Sequence, residues 1–481
     1  MTKKQKSLLF FTLLLVFSIV APTVIFYSQG YRFDWQNKKL TKTGGIFLKI
    51  KPSGAAVYLN HILYKKTNLI FDSLLIDNLP PKKYHILIRK DDYQDWEKEL
   101  SVSEMLVTEA KNIRLFAKHY PPKLIAQQVD KVFIAPNKKD FIVERQENEN
   151  NWSLWLFDSF SRQEKKLISL SDLLLTSSDK RIKNFQLKEI ISSKDSQKMI
   201  IVLEDNHQSL HYFLLDINYN NRFVELPLDN CEVIKIFFNP QNESQIIVWT
   251  KRTVKGKSKE GLMFFDQNFK THPINLFISD IKLLDIAPFN NSIYILTNNG
   301  IIYKTSFVDS SLVLNSVLNL QPKNINPQKR YRIFIFDPQN VFLTEDNTLY
   351  YLDPKNYKFR LVMKQVDKFS LSPNNDILAF SSQNNIFLFY LKDYPSQPKA
   401  FRWERIRLLN SGSEIFQLDW FDPFHIIYSN ESGIYIAEID FRDNVNKAII
   451  TSLSPEEFFW QKNQNDLFFI SRNNFFKINI K

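Results

Sequence analysis

The sequence predicts an all-β protein behind one apolar N-terminal helix: a small β-domain first, then a long series of repeated β-units. Three observations predict this. Short apolar runs broken by turn residues recur through residues 119–481, with aligned turns 35 to 57 residues apart. Ahead of them, Ile46, Leu48 and Ile50, and later Tyr84, Ile86 and Ile88, alternate with their neighbours at the period of a strand. At the amino end an uncharged run from Ser7 to Tyr31 follows Lys3, Lys4 and Lys6.

The N-terminal element comes first. Its apolar heart, Leu8–Phe26, includes Leu8, Leu15 and Phe26. As a helix it spans about 28 Å, the thickness of one bilayer core. The run is too long for the apolar region of a cleaved signal peptide, and residues 27–31 make a poor cleavage site. Residues 1–31 are therefore expected to be a cytoplasmic tip and an uncleaved signal anchor. By the flanking lysines, the expected topology is single-pass in the cell membrane, N-terminus cytoplasmic and C-terminal domains extracytoplasmic. No later stretch has the length and polarity of a second span.

Composition bounds the rest. The 481 residues exceed one ordinary core, and 44% are hydrophobic, so several packed domains are expected. Phe occurs 42 times and Gly only 9 times. Asn pairs stand where turns need glycine: Asn290-Asn291, Asn298-Asn299, Asn374-Asn375, Asn384-Asn385 and Asn473-Asn474. Asn enters the left-handed region more readily than other side chains, so these still read as turns. The net charge of +12 favours anionic surfaces. No basic patch or nucleic-acid motif appears, so nucleic acid is not an expected partner. The single cysteine, Cys231, allows no internal disulfide and reads as a buried strand thiol.

Residues 41–118 read as short strands and turns. Gly45–Ile50 is followed by the break Pro52-Ser53-Gly54, then Ala55–Leu59; Leu74–Ile76 is a further strand, Leu79–Lys83 a turn, and Asn112–Leu115 closes the segment. Pro52, Ser53, Gly54 and Ala55, with Thr67, Leu79-Pro80-Pro81, Tyr84–Ile88, Tyr93 and Trp96, resemble the PEGA domain of bacterial surface proteins. Ser53 stands where the family name has Glu, and several family glycines are replaced. The resemblance implies a compact β-sandwich-like module and an envelope location, not catalysis. Tyr93 and Trp96 are expected in the core.

Residues 119–481 repeat a unit of strand, turn, strand, turn, strand. The turns align on Pro136, Ser193, Pro240, Pro288, Pro338, Pro373, Pro423 and Lys462. Eight units whose turns lie 35 to 57 residues apart, bracketing the roughly 40–50-residue repeat of a propeller blade, point to a β-propeller, with seven blades as the alternative because the second unit is weak. Ser370–Phe380 resembles the Ser-Pro-Asp-Gly turn of TolB-like and WD-type propeller repeats. The last unit has only three strands, and Pro122–Ala126 is expected to supply the fourth.

The chain offers little chemistry. His207 and His211 have the spacing of helical metal ligands, but Leu210–Leu215 reads as a strand, which would hold them about 13 Å apart. No Gly-rich phosphate loop, nucleophile elbow or calcium loop is present. No catalytic, cofactor-binding or metal-binding residue is expected. The expected function is a non-catalytic, membrane-anchored binding or scaffold protein of the bacterial envelope. Its expected partners are the membrane and an envelope polymer or surface protein. The alternative is a surface enzyme, glycan- or peptide-processing, with its site in the propeller funnel.

Overall fold

The computed structural model describes residues 3–480 except 29, 35–38, 69–71, 136–139, 149–150, 160, 162, 177–183, 196, 218–221, 229–230, 255–256, 267–269, 275–281, 310 and 320–322. The first helix, α1, is Lys3–Ser28. Its segment Ser7–Ser28 has a mean hydropathy of 2.6, with none of it buried against the rest of the chain. Among the described residues it is the one helix long and apolar enough to cross a membrane. Leu8, Leu15 and Phe26 are all exposed on it. Arg32 binds its end. One guanidinium nitrogen donates to the Tyr27 carbonyl at 2.9 Å, and the other to Asn78 Oδ1 at 2.8 Å. A cation at the last turn satisfies a carbonyl the helix leaves free.

Two short strands, β1 (Tyr31–Asp34) and β2 (Lys39–Lys42), form a hairpin. Seven more build a two-sheet sandwich: β3 (Gly44–Lys51), β4 (Ala56–Leu59), β5 (Ile62–Lys66), β6 (Ser73–Leu79), β7 (Lys83–Arg89), β8 (Trp96–Ser101) and β9 (Val107–Arg114). The sheet orders are β6-β3-β9 and β5-β4-β7-β8, with β3 and β9 parallel. Ile46, Leu48 and Ile50 meet Val57, Ile86 and Ile88 in a single core. The turn at Pro52–Ala55 has a specific anchor. Gly54, at φ +81°, and Ala55 both donate their N–H to the buried Thr67 hydroxyl at 2.9 Å. Sequence patterning finds neither β5 nor β8. Every residue of β5 is exposed, and β8 places Lys98 at an inward position between Trp96 and Leu100.

Strand β10 (Lys123–Gln127) leads into eight four-stranded sheets. Blades 1 to 7 span residues 129–169, 185–225, 232–273, 283–317, 331–363, 368–410 and 417–451, and blade 8 spans 457–479. Blade 8 supplies three strands, and β10 pairs antiparallel with its last strand, Asn474–Asn479. The ring is thus closed by a strand from the other end of the propeller. The count is eight, and the seven-blade alternative is set aside.

Packing follows from patterning. A blade interior is buried on both faces, so its strands are nearly continuous apolar runs, such as Ile377–Ser382 and His425–Asn430. Each hydrophobic cluster joins two neighbours. Ile200 and Val202 of blade 2 meet Ile236 and Phe238 of blade 3. The same holds around the ring until Phe468 and Phe475 of blade 8 meet Phe141 and Val143 of blade 1. A short helix, α2 (Leu170–Thr176), follows blade 1 and buries Leu170 and Leu173 in the cluster shared with blade 2.

The turn prolines fall as follows. Pro240, Pro338, Pro373 and Pro423 lie in turns between the first and second strands of their blades. Pro288 instead lies inside a strand, Leu283–Phe289, and the reversal comes at Asn290, φ +50°. Pro136 lies outside the described residues. Asn375 and Asn473 likewise take positive φ, 58° in each case. Cys231 is half-buried just before the strand Glu232–Asn239, not within it, and its thiol donates to the Leu228 carbonyl at 3.2 Å.

Candidate functional site

The first strand of each blade faces the propeller axis, so its polar residues decide what the centre can do. Many of them bond across to a neighbouring blade. Lys131 donates to the Leu187 carbonyl at 2.5 Å. Lys235 pairs with Asp285 at 2.7 Å, while the second Asp285 oxygen accepts the Ile333 N–H at 2.8 Å. The Ser370 hydroxyl donates to Asp419 at 2.8 Å, and the Trp420 indole donates back to the Ser370 carbonyl at 3.0 Å. The Gln417 carboxamide brackets the backbone of Phe458, donating at 2.8 Å and accepting at 2.9 Å. These groups hold adjacent blades in register. Lys188, Glu189, Glu232, Arg332, Lys368 and Glu457 remain exposed on the same strands, with mixed sign.

Titratable groups elsewhere pin single blades. His211 lies between Asp205 at 3.2 Å and Glu225 at 2.8 Å. Burial lowers its pKa, but the hydrogen bonds that Glu225 and Asp205 accept from it, with their negative charge, outweigh that and raise it. His207 sits in the turn before the strand Leu210–Asp216, so the two histidines do not share a strand. Among the described residues, no group of three or more His, Cys, Asp or Glu side chains is placed to hold a metal ion.

Glu345 is the strongest case. It accepts from Lys323 at 2.9 Å, Tyr331 at 2.8 Å and Tyr350 at 2.9 Å. Burial pushes its carboxyl up, yet these bonds and the Lys323 charge hold it at about 2. A depressed carboxylate stabilises the fold above its unfolded pKa, about 4.3, and that stability is lost as pH falls toward 2. Glu345→Gln is expected to cost about 2 kcal/mol at pH 7. Its melting temperature should also fall less than wild type between pH 4.5 and pH 2. Thermal melts across that range check both, and parallel pH curves would refute the assignment.

The second region of interest is where the β-domain meets blades 6 and 7. Three carboxamides act as substitute backbone. Gln94 donates to the Ile449 carbonyl at 2.9 Å and accepts its N–H at 3.1 Å. Asn446 does the same to Glu97, at 3.1 and 3.0 Å. Gln397 donates to the Val107 carbonyl at 3.1 Å and accepts the Glu109 N–H at 3.0 Å. The contact includes the outer strand of blade 7, whose free edge it covers.

At its centre Lys98 is fully buried, 2.7 Å from Glu438 and 2.6 Å from the Asp440 carbonyl. The Trp96 indole donates to the other Glu438 oxygen at 2.8 Å, so Trp96 serves the core and the junction together. Burial raises the Asp440 carboxyl, but Arg442, which also reaches the Glu109 carbonyl, and Lys98 pull it below its ordinary value. None of these contacts is visible in sequence. The partners that cross the junction lie 288 to 355 positions apart, and only Trp96 stood out.

No protein family matches the chain, and no curated protein does. Among solved structures it is similar to Saccharomyces cerevisiae Sqt1, at 10% identity over 76% of this chain and 98% of that one, TM-score 0.41. It is similar to the beta-propeller domain of Myceliophteria thermophila Cps50 (Swd1), at 10% identity over 75% and 100%, TM-score 0.35. A structure from a study of two prolyl endopeptidases matches at 11% identity over 72% and 54%, TM-score 0.43.

Proposed function

We propose that this chain is a membrane-tethered, extracytoplasmic binding scaffold of the bacterial envelope. The observation that carries this reading is a closed eight-blade ring joined through a small β-domain to a helix apolar enough to cross a membrane. Residues 1–31 form the anchor, residues 41–118 the PEGA-like spacer and residues 119–481 the presenting surface. Pro22 inside α1 fits this role, because proline is tolerated within membrane helices. Lys3, Lys4 and Lys6, at the start of α1 and ahead of its apolar run, favour a cytoplasmic N-terminus.

The propeller's turn-bearing faces are the binding surface, since loops held on rigid scaffolds carry recognition. With a net charge of +12, the expected partner is an anionic envelope polymer or an acidic surface protein. Two measurements test this. Protease added to intact, permeable cells should digest residues beyond 31, and protection would refute the topology. The full chain in nanodiscs should bind polyglutamate, a soluble anionic polymer, at least tenfold more weakly at 0.5 M than at 0.05 M salt. Binding that ignores salt, or that maps to residues 41–118, would refute the surface assigned.

A further inference from the structure

Between blades 1 and 2 lies a cavity of about 420 Å³, within the size range of small-molecule sites. Its wall joins the first strand of blade 1 to the first strand of blade 2, with Lys131, Glu144, Gln146, Trp152, Gln186 and Lys188 among its residues. Glu144 is the anomaly. Its residue is 6% exposed, and its Oε2 is buried with no hydrogen-bond partner. Burying a carboxyl without a donor is costly, and native folds rarely keep such a group without use for it. Burial pushes its pKa up to about 7, against the opposing pull of Lys131. Other groups nearby are already engaged. Lys131 donates to the Leu187 carbonyl, Lys188 pairs with Glu204 at 2.6 Å, and the Trp152 indole donates to the Phe185 carbonyl at 2.6 Å.

The missing partner is therefore a donor from outside the chain. Its charge is constrained. An ammonium would face Lys131, and an anion would face Glu144 and Asp130. A neutral molecule with several hydroxyls escapes both conflicts. It donates to Glu144 and accepts from a carboxamide. We propose that this cavity is a binding site for a neutral, hydroxyl-rich ligand of the size of one or two sugar residues. The site is independent of the anchor and of the partner assigned to the propeller's faces.

The test uses the full chain in an amine-oxide detergent, which brings no sugar headgroup. Glucose, galactose and N-acetylglucosamine are the probes. Ethanolamine and glycerol phosphate are the cationic and anionic controls. Melting temperature and calorimetric titration are the readouts. At least one sugar should raise the melting temperature, and neither control should. Glu144→Leu should melt at or above wild type, because it removes an uncompensated buried carboxyl, and should lose the sugar-induced shift. Should Glu144→Leu fail to fold, Glu144→Gln decides: at least tenfold weaker sugar binding supports the site, and unchanged binding overturns it. No shift with any sugar, a shift with a control instead, or a shift that survives in Glu144→Leu also overturns it.

Discussion

Glu438→Ala is expected to cost about 3–5 kcal/mol and to loosen the β-domain from the propeller. The reason is the company Glu438 keeps. One oxygen accepts the Lys98 ammonium at 2.7 Å, the Asn446 N–H at 3.0 Å and the Asn446 carboxamide at 2.8 Å. The other accepts the Trp96 indole. Truncation leaves a fully buried ammonium without its nearest counter-charge and strands three neutral donors. A pair of this kind contributes little when compared with an apolar replacement, but a great deal when only one member is lost. The double variant Lys98→Met/Glu438→Leu should therefore recover part of the loss. Denaturant titration of the full chain in micelles measures both, and limited proteolysis near residues 118–122 reports the loosening. A Glu438→Ala cost below 1 kcal/mol, with unchanged proteolysis, would show that the cluster does not hold the domains together.

Phe141→Ala should be comparably damaging for a different reason, at about 3–5 kcal/mol. Phe141 is fully buried on the seam where the ring closes. Its ring lies 4.6 Å from Phe468, 5.4 Å from Phe475 and 5.8 Å from Phe459, all in blade 8. The cavity left behind would sit between the first and last blades, beside the sheet that β10 completes. Unfolding should start there, so hydrogen exchange should speed most in Lys123–Gln127 and Asn474–Asn479. Phe380→Ala, buried on the cluster shared by blades 5 and 6, is the matched control. A similar loss of stability without the exchange signature at the seam would show that closure is not the weak point.

Much of the architecture was legible in the amino-acid order, because local rules govern it. Uninterrupted apolar length marked α1, period-two alternation marked β3 and β7, and repeated turns marked the blades. The need to pair the edge of a three-strand unit pointed to the strand near Leu124 that completes blade 8. Asn290, Asn375 and Asn473 took the left-handed conformations that a glycine-poor chain must place somewhere. Local rules failed where a residue answers to a distant partner. Lys98 breaks the alternation of β8 because its charge is met by Glu438 and Asp440 across a domain boundary. The exposed β5 shows no apolar face, so only its ladder to β4 identifies it. Pro288 stays within its strand, and Asn290 makes the turn. Glu144 reads in sequence as one more strand carboxylate. Its isolation is a property of the space between two blades, and space between elements is decided by packing, not by the order of residues along one of them.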